Sequence, residues 1–414
     1  MGEVISKCEV CQNQHLKTVL NLGSTPLCDD LIPITSDDIS LEYPIEILFC
    51  NLCFTAHQKY TVPKKKLFPL SYHYRARFTA DVVSGMKNLA QNTNDFFGLS
   101  GVEGKKIVDI GSNDGTLLDI FKELGAVTIG VEPTDAALDS VGKGHFIYKE
   151  FFDSTVVNLI LNNFGTPDVI TFTNVFAHIE DLPNLINNLN LLMSSKTLLI
   201  IENHYLGAVL SKMQFDTFYH EHPRTYSAKS FKYIADNLGA EIVRIEFPER
   251  YGGNIRVYIK RDFKNNDQSV LNLQILKEQD FENKFANMGK SINNYLVATK
   301  KLINDLVNMY GALPAKAFPG RAAILVKMLG LTESHISAVY EKPGSKKIGH
   351  FLPGSRIPIK SDSELTLLDN NLPIINFAWH IAPEISEYLR SLRYLGKVIN
   401  IVEPESFINF KENI

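Results

Sequence analysis

The chain has 414 residues, 45% of them hydrophobic and 21% charged, the balance of a soluble globular protein. It is too long for one ordinary core, so two or three domains are expected, and its net charge of −4, with no block of like charge beyond Lys64-Lys65-Lys66, disfavours nucleic acid and favours a small molecule or sugar as partner. Apolar stretches are of strand length, short of the roughly 20 residues a membrane span needs, and the first residues lack a basic-then-apolar signal pattern, so no membrane partner and a cytoplasmic location are expected.

From the N-terminus, the five cysteines (Cys8, Cys11, Cys28, Cys50 and Cys53) come early, and none follows Cys53. A secreted protein stapled by disulfides would spread them across the fold. Cys8-x-x-Cys11 and Cys50-x-x-Cys53 instead form two knuckles separated by a long loop. Each can present two thiolates to one ion, and four thiolates close a tetrahedral zinc site, which is then structural. A segment of about 60 residues with few large apolar groups needs such help, because metal binding supplies folding free energy. A redox dithiol would open a helix after a strand, whereas both pairs sit in turn-like contexts. Cys28 is left over as an ordinary thiol, and His15 and His57 are conceivable ligands that four cysteines make unnecessary.

Residues 60–94 carry aromatic and polar groups with helical spacing, Tyr72-His73-Tyr74-Arg75 among them, before Gly101 and Gly104 mark a break. An alternation of strands and helices follows. Lys106–Ile110 reads as a buried strand, 111–115 as a glycine-bearing turn, 117–124 as a helix ended by Gly125, and Val127–Val131 as the next strand, closing on Glu132. Gly111 and Gly115 let the backbone approach a ligand that the following helix N-terminus faces. Glu132, about 20 residues on, can accept both ribose hydroxyls of an adenosine at the switch point of a doubly wound sheet. An NAD site uses similar parts, but its fingerprint wants a glycine where Asn113 stands. S-adenosylmethionine has no pyrophosphate, and its cationic groups favour acidic neighbours such as Asp109 and Asp114. The loop Val108-Asp109-Ile110-Gly111-Ser112-Asn113-Asp114-Gly115 therefore points to a methyl donor rather than a nicotinamide. The sheet continues through 168–172 to Asn174-Val175-Phe176-Ala177-His178-Ile179, where Asn174 and Ala177 would lie beside the donor, and through 198–202 to Asn203-His204-Tyr205.

Phe215-Asp216-Thr217-Phe218-Tyr219-His220-Glu221-His222 is the densest set of proton-handling groups. An imidazole with an unperturbed pKa near 6.5 can take a proton at neutral pH, and a carboxylate can orient it. Carbon methylation needs such a base, because a carbon beside a carbonyl must lose its proton before attacking a sulfonium methyl, and the enolate must be stabilised. Metal ligation is the weaker reading of His220 and His222, since the helical zinc motif spaces its histidines at i and i+4. His178 and His204 carry a larger structural share, lone histidines after strands often being hydrogen-bonded core residues.

These motifs together resemble the sugar C-methyltransferases that act on nucleotide-linked 4-keto deoxysugars at C3. The resemblance covers nearly the whole chain: the Cys-x-x-Cys pairs, the Tyr72-x-Tyr74 segment, the glycine loop, 174–179, 215–222 and Gly252-Gly253-Asn254-Ile255-Arg256-Val257-Tyr258. It implies an α/β fold with a zinc-binding N-terminal module over 1–65, a Rossmann-like class I methyltransferase domain over 66–240, and a second, C-terminal α/β domain over 241–414 that helps bind the nucleotide-sugar. It places the family's base on His222 and the partner carboxylate on Glu221, with Tyr219, His178 and one of Tyr72 or Tyr74, here Tyr74, in the same pocket. Late motifs match at 352–359 and at Phe377-Ala378-Trp379-His380. Departures are Arg75-Ala76-Arg77 where the family has serines, Ala317 in place of a glycine after Lys316, and His380 in place of an asparagine. They bear on the identity of the sugar and carrier more than on the reaction. The rival readings are O- or N-methylation of a sugar or other metabolite, and a zinc-ribbon scaffold with a vestigial cofactor fold, against which intact Asp109, Gly111, Gly115 and Glu132 argue.

Overall fold

The computed structural model describes residues 4–70, 74–262 and 268–403; Tyr72 lies outside them. Lys106–Ile110 and Val127–Val131 are short runs rich in β-branched residues, buried on both faces, as strands of a parallel sheet must be. They pair in parallel, Asp109 opposite Gly130, and the helix Thr116–Glu123 crosses between them. Across the sheet the order is Glu241–Glu246, Asn254–Lys260, Leu198–His204, Val169–Thr173, Lys106–Ile110, Val127–Val131 and Phe146–Tyr148. Chain direction of winding reverses between Lys106–Ile110 and Val169–Thr173, which opens a crevice at their carboxyl ends. The strand Asn254–Lys260 is antiparallel to both of its neighbours, so residues beyond 240 complete this sheet before the chain leaves it.

The N-terminal sheet consists of Lys17–Pro26, Glu42–Phe49, Ala56–Gln58 and, returning from much later in the chain, Arg224–Thr225. That last strand directly follows the run 219–222, which ties the cysteine-bearing module to the candidate catalytic loop. The C-terminal sheet orders Ile359–Ser361, Ile336–Glu341, Leu313–Lys316, Ile374–Asn376 and Val398–Asn400, all in parallel. It therefore has a switch point of its own beside Leu313–Lys316. The helix Phe281–Tyr310, about 45 Å long at 1.5 Å per residue, buries Phe281, Phe285, Met288, Ile292 and Tyr295 along one stripe. Phe285 meets Phe49 of the N-terminal sheet and Phe218 of the run 215–222, while Tyr295 meets Phe215 and donates to the Ile401 carbonyl. One helix thus packs against all three parts. Among the described residues no helix is long and apolar enough to cross a membrane.

The antiparallel strand is locked by charge. Glu202, 0% exposed, accepts from Arg256 Nε at 2.7 Å, Asn254 Nδ2 at 2.9 Å and Arg250 Nε. Arg256 reaches on to Glu246 and Asn88, both at 2.9 Å. Burial alone would raise the Glu202 pKa, but Arg250 and Arg256 overcome it and hold the carboxyl below its ordinary value. A depressed carboxylate contributes stability above its unfolded pKa and loses it as pH falls through the folded one. Glu202→Gln takes from buried Arg250 and Arg256 the carboxylate they share and should cost about 3–5 kcal/mol in urea denaturation at pH 7, with the gap to wild type narrowing in acid; a loss below about 1 kcal/mol would show the network to be dispensable.

Candidate active site and zinc centre

Each cysteine pair sits in a tight knuckle whose fourth following residue turns left-handed. Gln12 (φ 61°) donates its N–H to the Cys8 carbonyl and Phe54 (φ 59°) to that of Cys50, both at 2.8 Å. The four sulfurs of Cys8, Cys11, Cys50 and Cys53 lie within 4.8 Å of one another, with Cys8–Cys53 at 3.4 Å and Cys11–Cys50 at 3.5 Å. These separations exceed a disulfide's roughly 2.05 Å and suit tetrahedral sulfurs about 2.3 Å from a zinc ion, roughly 3.8 Å apart. Hydrogen bonding among the thiols holds Cys50 low and pushes Cys8 and Cys53 up, a split that a divalent cation removes by letting all four ionise. The centre is a structural zinc site. His57 supports it rather than ligating it: its Nε2 lies 3.3 Å from Cys8 Sγ and its Nδ1 faces Glu9 at 3.8 Å. His15 is exposed. Glu9 in turn pairs with buried Arg224, which donates to the Ile179 and Glu180 carbonyls, so the knuckle braces the loop that carries His178.

At the large sheet's switch point, Gly111 (φ +73°) and Gly115 (φ +77°) are needed as glycines. A Cβ would meet Val175 at 2.4 Å from the first and Ser140 Oγ at 2.5 Å from the second. Asn113 also turns left-handed (φ 49°) and donates its backbone N–H to Glu132 Oε2 at 3.0 Å. Thr134 binds the other Glu132 oxygen through N–H and hydroxyl, at 2.9 and 2.6 Å. Each carboxylate oxygen accepts twice, so Oε2 keeps a place for a ribose hydroxyl. Asp109, at the strand end, accepts from Thr171 at 2.6 Å across the switch point, and burial pushes its pKa up to about 7. A cationic ligand would restore its charge. Asn174 (φ 55°) accepts from Asn254, and the Ala177 N–H reaches Asn203 Oδ1 at 3.4 Å, which sets both on the crevice wall. Ser112 Oγ, Ser140 Oγ, Thr173 Oγ1 and Asn203 Nδ2 are buried here with no hydrogen-bond partner among the described residues, a polar lining that fits a bound nucleoside.

Asp114, which the sequence offers as an acidic neighbour of the cofactor, is engaged within the protein. It accepts from the Arg77 N–H at 3.0 Å and from Thr116 at 2.6 Å, joining the loop to residues 74–77. The Ala76 N–H and the Tyr74 carbonyl bracket the Asn113 side chain, and Arg75 and Arg77 both hold Asp139. The arginines that depart from the family pattern thus clamp this segment over the glycine loop. Tyr74 comes to the cofactor side through its backbone, with its ring 38% exposed.

The candidate catalytic run is a 3-10 turn, Phe215–Thr217, followed by a buried loop rather than a helix. His222 Nδ1 lies 3.1 Å from the Thr217 carbonyl. A carbonyl only accepts, so the ring proton is on Nδ1 and the lone pair on Nε2. The His222 ring packs against Tyr219 (4.2 Å between centroids), His178 (4.9 Å) and His204 (5.1 Å), and Phe68 covers His178. Burial, aided by Arg321, lowers the His222 pKa to about 4, and burial drives His178 and His204 well below their usual range. All three are neutral at pH 7. Burial and the charge of Glu221 raise Tyr219, which stays a protonated donor. Glu221 was expected to orient His222; the Thr217 carbonyl holds Nδ1, and the Glu221 charge bears on Tyr219 and Cys28. His220 turns away and bonds the Tyr43 carbonyl at 3.0 Å, a structural link to the N-terminal sheet.

Sequence reasoning missed what the C-terminal domain contributes. Arg321 donates to Thr217 Oγ1 at 3.1 Å and lies 3.4 Å from Asp216, whose other partner is Trp379 Nε1 at 3.0 Å. Trp379 and Asp216 stood within motifs, whereas an isolated arginine after Pro319-Gly320 gave no signal. His380 sits beside Trp379, its pKa pushed down to about 2 by burial and then Arg321. The other late motif is structural: Arg356 donates to the carbonyls of Ser36, Asp37 and Asp38, docking 352–359 on the N-terminal module.

Three family models match in succession along the chain: a zinc binding domain over 8–68, a methyltransferase domain over 82–245, and a C-methyltransferase C-terminal domain over 249–402. The C-methyltransferase NovU of Streptomyces niveus is 25% identical over 97% of this chain and 96% of its own length. Among solved structures, the magnesium protoporphyrin IX methyltransferase of Synechocystis PCC 6803 with bound SAM is 12% identical, covering 44% of this chain and 80% of its own, with a TM-score of 0.33. A SAM-dependent methyltransferase from Archaeoglobus fulgidus is 16% identical, covering 43% and 94%, with a TM-score of 0.35.

Purified protein should carry about one zinc per chain by elemental analysis, and Cys50→Ser should lose it; folded wild-type protein free of zinc would exclude the four-thiolate centre. Glu132→Ala should weaken S-adenosylmethionine binding roughly ten- to hundredfold in calorimetry, and an unchanged affinity would mean the ribose is held elsewhere.

Proposed function

We propose that this chain, along which a zinc binding domain, a methyltransferase domain and a C-methyltransferase C-terminal domain match in succession, methylates a nucleotide-linked keto-deoxysugar at C3, beside a C4 ketone, through an enolate. S-adenosylmethionine, held by Asp109, Gly111, Asn113, Gly115 and Glu132 with Asn174 and Ala177 on the crevice wall, supplies an electrophilic methyl group when bound. The sugar reading rests on the motif resemblance across the chain. The enolate reading rests on one observation: His222 is buried and neutral, with Nδ1 fixed on the Thr217 carbonyl.

That geometry makes Nε2 the base. It takes the C3 proton, and the electron pair moves into the ketone, whose oxygen gathers negative charge. Tyr219, kept protonated by burial, donates toward that oxygen. His178, stacked on His222 and braced from the zinc knuckle through Arg224, walls the pocket and holds the base in place. Glu221, beside Tyr219, keeps the tyrosine from ionising. Tyr74, whose carbonyl sits on Asn113, closes the donor side. Phe68 stacks on His178 and covers that side of the imidazole cluster.

His222→Ala should lower kcat by about 10²–10⁴-fold while leaving S-adenosylmethionine affinity unchanged, measured by mass spectrometry over a panel of nucleotide-linked keto-sugars. Because activity needs the neutral imidazole and its pKa is lowered to about 4, kcat/KM should be lost only as pH falls toward that value, with no fall near 6.5. A dispensable His222 would instead favour methylation of oxygen or nitrogen.

A further inference from the structure

We propose that Arg321, contributed by the C-terminal domain, is the cation that receives the charge of the substrate's ketone oxygen as the neighbouring carbon loses its proton. The inference rests on the enolate reading above and assigns it a residue outside the methyltransferase domain. Arg321 is 9% exposed, and its Nη2 is buried with no hydrogen-bond partner among the described residues. A guanidinium that has left water holding an unused N–H is costly unless a ligand accepts from it. Its other nitrogens are anchored, Nη1 on Thr217 Oγ1 and Nε beside Asp216. The indole of Trp379 lies 5.3 Å from the guanidinium carbon.

The placement is specific to the base. Thr217 accepts from His222 through its carbonyl and from Arg321 through its hydroxyl, so one residue sets the distance between imidazole and guanidinium. Upstream, Gly320 packs so closely on Cys28 that a Cβ would sit 3.0 Å from the Cys28 Cβ, which fixes the loop carrying the arginine. Arg321 has two consequences that favour enolisation. Its charge disfavours protonation of His222, keeping the lone pair available, and it stabilises the anion formed. In the step, the C–H bond breaks, the proton goes to His222 Nε2, and the electron pair goes to the ketone oxygen, which accepts from Arg321 Nη2. The base and the cation come from different domains, so proton abstraction requires both to be docked.

The test is solvent deuterium exchange at the sugar carbon, on the full-length zinc-loaded protein in deuterium oxide without methyl donor, using whichever member of the keto-sugar panel wild type exchanges fastest. Arg321→Lys keeps a charge beside Asp216 but lacks the second N–H arm. It should melt near the wild-type temperature and exchange at saturating sugar about 10²-fold more slowly, with a much smaller change in KM. Arg321→Gln should raise the His222 titration midpoint by NMR. Wild-type exchange at saturation in Arg321→Lys, or a change confined to KM, overturns the proposal. A wild type that methylates the sugar but exchanges no proton overturns the enolate reading itself, and the proposal with it.

Discussion

The proposed chemistry depends on a cluster of imidazoles whose ionisation burial disfavours. His178, His204 and His222 are packed ring against ring, and burial makes protonating any of them unfavourable. Protonation is opposed further by Arg321, a permanent cation in the same enclosure. A base whose pKa is depressed loses proton affinity, so it abstracts a carbon-bound proton only if the resulting anion is stabilised at least as strongly. In the proposed enolisation the same cation that weakens the base strengthens the acid, so base and donor have to be held in one frame.

That frame is assembled from all three parts of the chain. The zinc knuckle reaches the His178 loop through Glu9 and Arg224, and a strand following His222 joins the N-terminal sheet. The C-terminal domain brings Arg321 and Trp379 onto Asp216 and Thr217. The long helix Phe281–Tyr310 packs its buried stripe behind the run 215–222. The zinc centre is therefore mechanically connected to the proposed site without entering it, as closed four-thiolate sites are suited to be.

The cofactor crevice follows a separate logic. Its residues hold one another before any ligand arrives: Glu132 by Asn113 and Thr134, Asp109 by Thr171, and Asn113 by the segment 74–77. Such preorganisation reduces the ordering cost of binding. The acid that looked suited to the cofactor's cation, Asp114, is used to fasten that segment down.

The four-cysteine cluster, the glycine loop with Glu132 beside it, and the two strands around it were legible in the sequence because each depends on local spacing. Cys-x-x-Cys is a single turn, and a five-residue strand with three β-branched residues followed by glycine needs no distant partner to be recognised. What only the tertiary structure decided is which groups meet across long separations. The closing strand Asn254–Lys260 is held by Glu202, His222 is oriented by Thr217 rather than Glu221, and Arg321 stands more than a hundred residues from the carbonyl and hydroxyl that organise the site. Local pattern determines backbone conformation and the chemistry available; the direction of a buried side chain is set by packing between domains, and no spacing along the chain encodes it.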